Sequence, residues 1–179
     1  MKKVLYFATL LLCAGLTACE KEDIGGTATE SMAGDWYVTV EAVAADGTVV
    51  DPDFNGGRVH MMTYNTAKND ATEMYVDDLG TSNGGFLGMK AKVVCNPGAM
   101  TFASDGVVAN ETSHSRYVSD DLQITDGKIM LGAGHQNNGS VADSIDFWME
   151  YTSDVYAATY EYKRYHIHGV RYSGLVEND

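Results

Sequence analysis

Apolar and polar residues alternate along most of the chain from position 36 onward. Trp36, Val38, Val40 and Ala42 fall on one phase, and Tyr37, Thr39 and Glu41 on the other, the period-two pattern of a strand with one face in a core. The same pattern predicts strands over 58–66, 72–77, 86–95, 100–104, 122–125, 128–131, 144–151 and 157–172, punctuated by Gly, Asn and Asp. Asp126-Gly127 falls between two of them and predicts a two-residue hairpin, since a type I′ turn needs positive φ at both central positions. Helical signals are confined to the start. Thr27-Ala28-Thr29-Glu30 has the form of a capping box and Gly34 suits a left-handed C-cap, so a short helix is expected over 28–33. Roughly eight or nine antiparallel strands in one small domain favour closure, which removes both exposed edges. The expected fold is all-β: an antiparallel up-and-down barrel of about eight strands with one short N-terminal helix.

Composition narrows the function. The 179 residues are 45% hydrophobic and 21% charged, as expected of a globular domain. Twelve Lys and Arg against 25 Asp and Glu leave a net charge of −13, which excludes nucleic acid as a partner because the field repels phosphates.

The N-terminus carries an address. Lys2 and Lys3 precede an uncharged stretch from Val4 to Leu16, the length of a signal-peptide core and too short to span a bilayer. Leu16-Thr17-Ala18-Cys19 resembles a bacterial lipobox. The resemblance implies a diacylglyceryl group on the Cys19 sulfur and cleavage before it. Two or three acyl chains would then anchor the protein firmly to a membrane. The expected organisation is a signal peptide over 1–18, a lipidated tether over 19–26 and a barrel domain over 27–179. Cleavage removes Lys2 and Lys3 and no acid, leaving 10 basic against 25 acidic residues and a net −15. Glu20-Lys21-Glu22-Asp23 resembles the surface-export signal of some Gram-negative outer-membrane lipoproteins, so the expected location is the outer membrane, facing the cell surface. Of three cysteines, Cys13 leaves with the leader and Cys19 is alkylated; Cys95 remains as a core thiol sharing a face with Met89, Ala91 and Val93.

Two further resemblances concern the barrel. Gly34-Asp35-Trp36-Tyr37, after a short helix, resembles the G-x-W start of lipocalin-like (calycin) barrels. That likeness implies that Trp36 closes one end of the barrel and that Arg171, on the last strand, covers it. The segments 25–28 and 32–38, the penultimate strand at 143–151, and Tyr165-His166-Ile167-His168-Gly169-Val170-Arg171-Tyr172-Ser173-Gly174 resemble the bacterial family of lipid-binding putative hydrolases. Gly169, Arg171 and Gly174 keep that family's terminal pattern, whereas Val170, Tyr172, Ser173 and Leu175 depart from it. The resemblance implies a lipocalin-like envelope lipoprotein.

Catalytic signals are weak. Ser113-His114-Ser115 and Ser140 occur without a G-x-S-x-G elbow or S-x-x-K, and the chain has no H-E-x-x-H, C-x-x-C or phosphate-binding glycine loop. His166 and His168 share a strand face and would need a third ligand from His60, Asp77 or Glu150 to hold a metal, with Arg164 in the same row opposing it. No metal or cofactor is expected, and His114, His166 and His168 are the weak catalytic candidates. Val38, Val40, Met74, Met89, Val93, Met100, Phe102, Ile145, Phe147 and Met149 fall on the interior phase. They would line either a filled core or a cavity for one small apolar or amphipathic, lipid-like ligand. Two alternatives stand beside ligand binding. One is a surface module contacting glycan or an uptake-system protein through Trp148 and an exterior row of Tyr156, Tyr160 and Tyr162. The other is the weak hydrolase that the family resemblance suggests.

Overall fold

The computed structural model describes residues 26–80, 88–112, 121–154 and 156–178; Cys19 and His114 lie outside them. The described strands are β1 (Gly34–Val43), β2 (Val49–Asp51), β3 (Val59–Asn65), β4 (Glu73–Asp77), β5 (Lys90–Asn96), β6 (Thr101–Ala103), β7 (Val108–Ala109), β8 (Asp121–His135), β9 (Val141–Tyr151) and β10 (Arg164–Arg171). Eight of them follow one another round a closed antiparallel barrel in the order β1, β3, β4, β5, β6, β8, β9, β10. Closure is made by β1 and β10, paired in register from Trp36↔Arg171 to Val43↔Arg164. Two short strands stand outside the ring: β2 pairs with the end of β1, and β7 with the start of β8.

The alternation read from the sequence becomes inside and outside. Trp36, Val38, Val40, Met74, Met89, Phe147 and Ile167 are fully buried, and with their neighbours from the other ring strands they form one apolar cluster. Three local expectations are corrected. The short helix expected over 28–33 is a 3-10 helix confined to Glu30–Met32, and Thr29 rather than Thr27 precedes it, without a side-chain cap. Gly34 begins β1 instead of capping a helix, and its smallness serves another purpose, since a Cβ there would lie 2.4 Å from Arg171 Nη1.

Asp126-Gly127 is not a hairpin turn. It is a bulge inside the continuous strand β8, between Thr125↔Trp148 and Lys128↔Asp146. Only Asp126 takes positive φ (56°), whereas the type I′ turn needs it at both central positions. Gly127 sits against the Phe102 backbone, where a Cβ would come within 2.5 Å of the carbonyl oxygen. The long strand expected over 157–172 likewise divides: Ala157–Tyr160 form one helical turn, α1, and β10 starts at Arg164.

Candidate functional site

One end of the barrel is closed by side chains. Trp36 and Arg171 face each other across β1 and β10, and the Arg171 guanidinium lies over the indole, 4.5 Å from its centroid. Indole Nε1 donates to Thr63 Oγ1 (2.9 Å), whose hydroxyl donates on to the Met32 carbonyl (2.6 Å). Arg171 donates to the Ala33 carbonyl (2.9 Å) and to Asp143 Oδ2 (3.0 Å). The N-terminal turn is thereby fastened across this end, the indole N–H is satisfied, and the guanidinium donates two hydrogen bonds.

Above this plug the interior is apolar. Val38, Val40, Met74, Met89, Val93, Phe102, Ile145, Phe147 and Met149 all pack inside, none more than 4% exposed. Met100 differs: it sits at φ 56° in the turn before β6 and packs against the core only in part. Cys95 is buried, its thiol directed to the Ala71 carbonyl at 3.4 Å, and burial raises its pKa.

The opposite end is polar. Asp78, directly after β4, is fully buried, and its carboxylate accepts backbone N–H bonds from Gly80 (3.0 Å), Gly88 (3.0 Å) and Met89 (2.7 Å). Asp154, between β9 and α1, accepts from the hydroxyls of Tyr162 (3.0 Å) and Tyr165 (2.6 Å) and from the Tyr156 amide (2.9 Å). Tyr162 and Tyr165 share a further hydrogen bond of 2.7 Å. Burial first, then hydrogen bonding to Asp154 and Tyr162, raises the Tyr165 pKa far above that of an ordinary phenol. Tyr151, the last residue of β9, has a buried hydroxyl with no hydrogen-bond partner among the described residues. Burial raises its pKa well above the usual 10.0, and the nearby charges of Asp78 and Asp154 add to the effect.

Sequence reasoning missed this group. Asp78, Tyr151 and Asp154 lie at strand ends, where the period-two pattern carries no information, and only the ring order brings them together. The expected aromatic row on the outer wall dissolves for the same reason. Tyr162 is buried in the core, Tyr156 packs partly against it, and only Tyr160 is exposed.

A second cluster lies on the outer wall. Glu41, His166 and Trp148 are in register across β1, β10 and β9, with Asp146 opposite His168. His166 Nδ1 lies 2.8 Å from Glu41 Oε2, and Nε2 lies 2.9 Å from Asp146 Oδ2. The imidazole stacks on Trp148 (4.4 Å, 18°), whose ring Arg164 covers at 4.0 Å. None of His60, Asp77 and Glu150 joins His166 and His168; Glu41 does.

The family model for lipid-binding putative hydrolases matches residues 21–176. The chain belongs to that family. Among curated proteins none matches it. The match covers every described strand of the barrel, from β1 to β10. Family and fold together are consistent with a lipid-like ligand.

Proposed function

We propose that the protein is a lipid-anchored outer-membrane binding protein whose barrel holds a lipid-like molecule at the end opposite Trp36 and Arg171. The observation that carries this reading is the Tyr151 hydroxyl. A buried hydroxyl without a partner costs about 1–3 kcal/mol, and this one lies where the apolar interior meets Asp78 and Asp154. A ligand polar group placed there would supply the missing bond. Its chain would lie against Met74, Met89 and Met149, whose unbranched side chains readily change rotamer to make room. Two carboxylates at the site and a net charge of −15 on the cleaved chain disfavour an anionic head. The ligand is therefore a neutral or cationic amphiphile bearing hydroxyl, amide or amine groups.

Native mass spectrometry of the protein purified from its own host tests this reading. It predicts a retained small molecule, lost or reduced in Tyr151→Phe. In binding assays a monoacylglycerol should outcompete the fatty acid of equal chain length. Protein that carries no extra mass and binds neither probe would refute the proposal.

The anchor is tested separately. Cys19→Ala should abolish incorporation of an alkyne fatty acid and release the protein from the membrane fraction. Protease treatment of intact cells should cleave the wild type if the barrel faces outward, and leave it intact if it faces the periplasm.

A further inference from the structure

We propose that Glu41, His166 and His168 form a binding site for a divalent first-row metal ion, zinc in the first instance, on the outer wall of the barrel. Each of the three residues offers one ligand atom, and these atoms lie within 4.8 Å of one another. His166 Nδ1 is 2.8 Å from Glu41 Oε2, and His168 Nε2 is 3.7 Å from Glu41 Oε1. Ligand atoms about 2.1 Å from a tetrahedral zinc lie about 3.4 Å apart, and the two imidazole–carboxylate separations, one to each Glu41 oxygen, fall on either side of that value.

The scaffold is rigid where the site needs it to be. His166 and His168 are two residues apart on β10 and therefore project from the same face, and Glu41 is the direct β1 partner of His166. Both strands belong to the pairing that closes the barrel. The ring of His166 is stacked on Trp148 and cannot swing freely. The side chains are 22% (Glu41, His166) and 41% (His168) exposed, open enough for entry and for water at a fourth position.

Donor chemistry makes the same point. A neutral imidazole carries one N–H, yet His166 has a carboxylate within 3 Å of each ring nitrogen. If Nε2–H donates to Asp146, Nδ1 presents a lone pair towards the Glu41 carboxylate. A metal ion between Nδ1 and Glu41 turns that repulsion into two coordinate bonds. Asp146 then becomes the outer carboxylate that metal-bound histidines commonly donate to, fixing the tautomer and the ring. Arg164 lies over Trp148, and the two carboxylates offset its charge. Two imidazoles with one carboxylate suit zinc, as in open metal sites that keep a water.

The test is cobalt(II) and zinc titration of the metal-stripped, tag-free protein, followed by visible absorption and calorimetry. One cobalt should bind per chain with the intense d–d absorption of a four- or five-coordinate site, and one equivalent of zinc should displace it. His168→Ala should weaken binding at least tenfold, as should Glu41→Gln; Asp146→Asn should weaken it less, while His60→Ala and His135→Ala leave it unchanged. If Glu41→Gln fails to fold, the more exposed His168→Ala carries the test. Absence of saturable binding, binding unaffected by His168→Ala, or equal losses in His60→Ala would each overturn the assignment. None of these readouts involves the barrel interior, so the result is independent of the lipid-binding proposal.

Discussion

The guanidinium of Arg171 covers the indole of Trp36, and the two residues are direct partners across the β1–β10 pairing that closes the barrel. Gly34 lies against both, since a Cβ on it would meet Arg171 Nη1 at 2.4 Å and the Trp36 ring at 3.0 Å. Arg171→Lys would keep the charge but lose the planar stack and the fork to Ala33 and Asp143. A loss of about 2 kcal/mol is expected. Gly34→Ala should cost about 1–3 kcal/mol by overpacking. The two effects share a cause, so Gly34→Ala should cost less in an Arg171→Ala background. Urea denaturation of the four proteins measures this cycle, and strict additivity would show that Gly34 and Arg171 are not coupled.

The bulge in β8 separates the roles of its two residues. Asp126 has φ 56°, so Asp126→Gly should be neutral or slightly stabilising, the relieved backbone strain balancing the added freedom of the unfolded chain. Gly127→Ala would drive a Cβ to 2.4 Å from the Phe102 ring and 2.5 Å from its carbonyl oxygen. Backbone cannot give way as a flexible side chain can, and a loss of 2 kcal/mol or more, by a rough overpacking estimate, is expected. A Gly127→Ala protein with unchanged melting behaviour would remove the bulge's close approach as a constraint.

Legibility from sequence followed the reach of each signal. Alternation from Trp36 to Ala42 identifies the inward face because side chains on a strand have a fixed period, and those residues are buried. The same rule extended the last strand back through Tyr162 and Tyr160, where a helical turn intervenes. Strongly β-favouring tyrosines gave the segment a strand's composition without its pairing. Asp126-Gly127 suggests a hairpin because the pair favours positive φ, and the bulge uses that same tolerance at Asp126. The partner strands decide between them. Glu41 beside His166 depends on β1 meeting β10, a contact across 125 residues that no local pattern encodes. The pairing of Trp36 with Arg171, across 135 residues, is suggested in the sequence only by a motif that resembles that of a known barrel family.

Buried phenols make the barrel sensitive to alkali. Burial, as the largest cause, raises the pKa of Tyr64, Tyr151, Tyr162 and Tyr165 above the usual 10.0. In the unfolded chain these groups lose protons near pH 10, while in the native state they remain neutral. Their contribution to stability is therefore fully present below about pH 10 and lost as pH rises through the native values. Phenolate absorbance of these tyrosines should appear together with loss of far-UV circular dichroism. Ionisation of every tyrosine in a protein that keeps its native spectrum would contradict this.

Cys95 should be chemically silent. Its thiol is buried, directed to the Ala71 carbonyl, and its pKa is raised by burial first and then by the charges of Asp70 and Glu73. The thiolate is the reactive form, so an aromatic disulfide reagent at pH 8 should modify Cys95 only as the protein unfolds, with a rate rising with denaturant. Rapid stoichiometric modification of the native barrel would show that β5 opens locally.

Tyr151→Phe should raise stability. Most changes at fully packed positions destabilise, but this one removes only a buried hydroxyl that has no partner among the described residues. The desolvation cost of that group, about 1–3 kcal/mol, is carried by the ligand-free native state and relieved in the unfolded chain. The ring stays, including its edge contact with Tyr165 at 6.2 Å, so packing is preserved. Denaturation of ligand-free protein should show Tyr151→Phe more stable than wild type by about 1–2 kcal/mol. With ligand bound the order should narrow or invert, because the wild-type hydroxyl then has its partner and binding adds stability to the state that binds. A variant less stable than wild type in the ligand-free state would mean that the hydroxyl is already hydrogen-bonded, and would remove the main support for placing a polar ligand group beside Asp78.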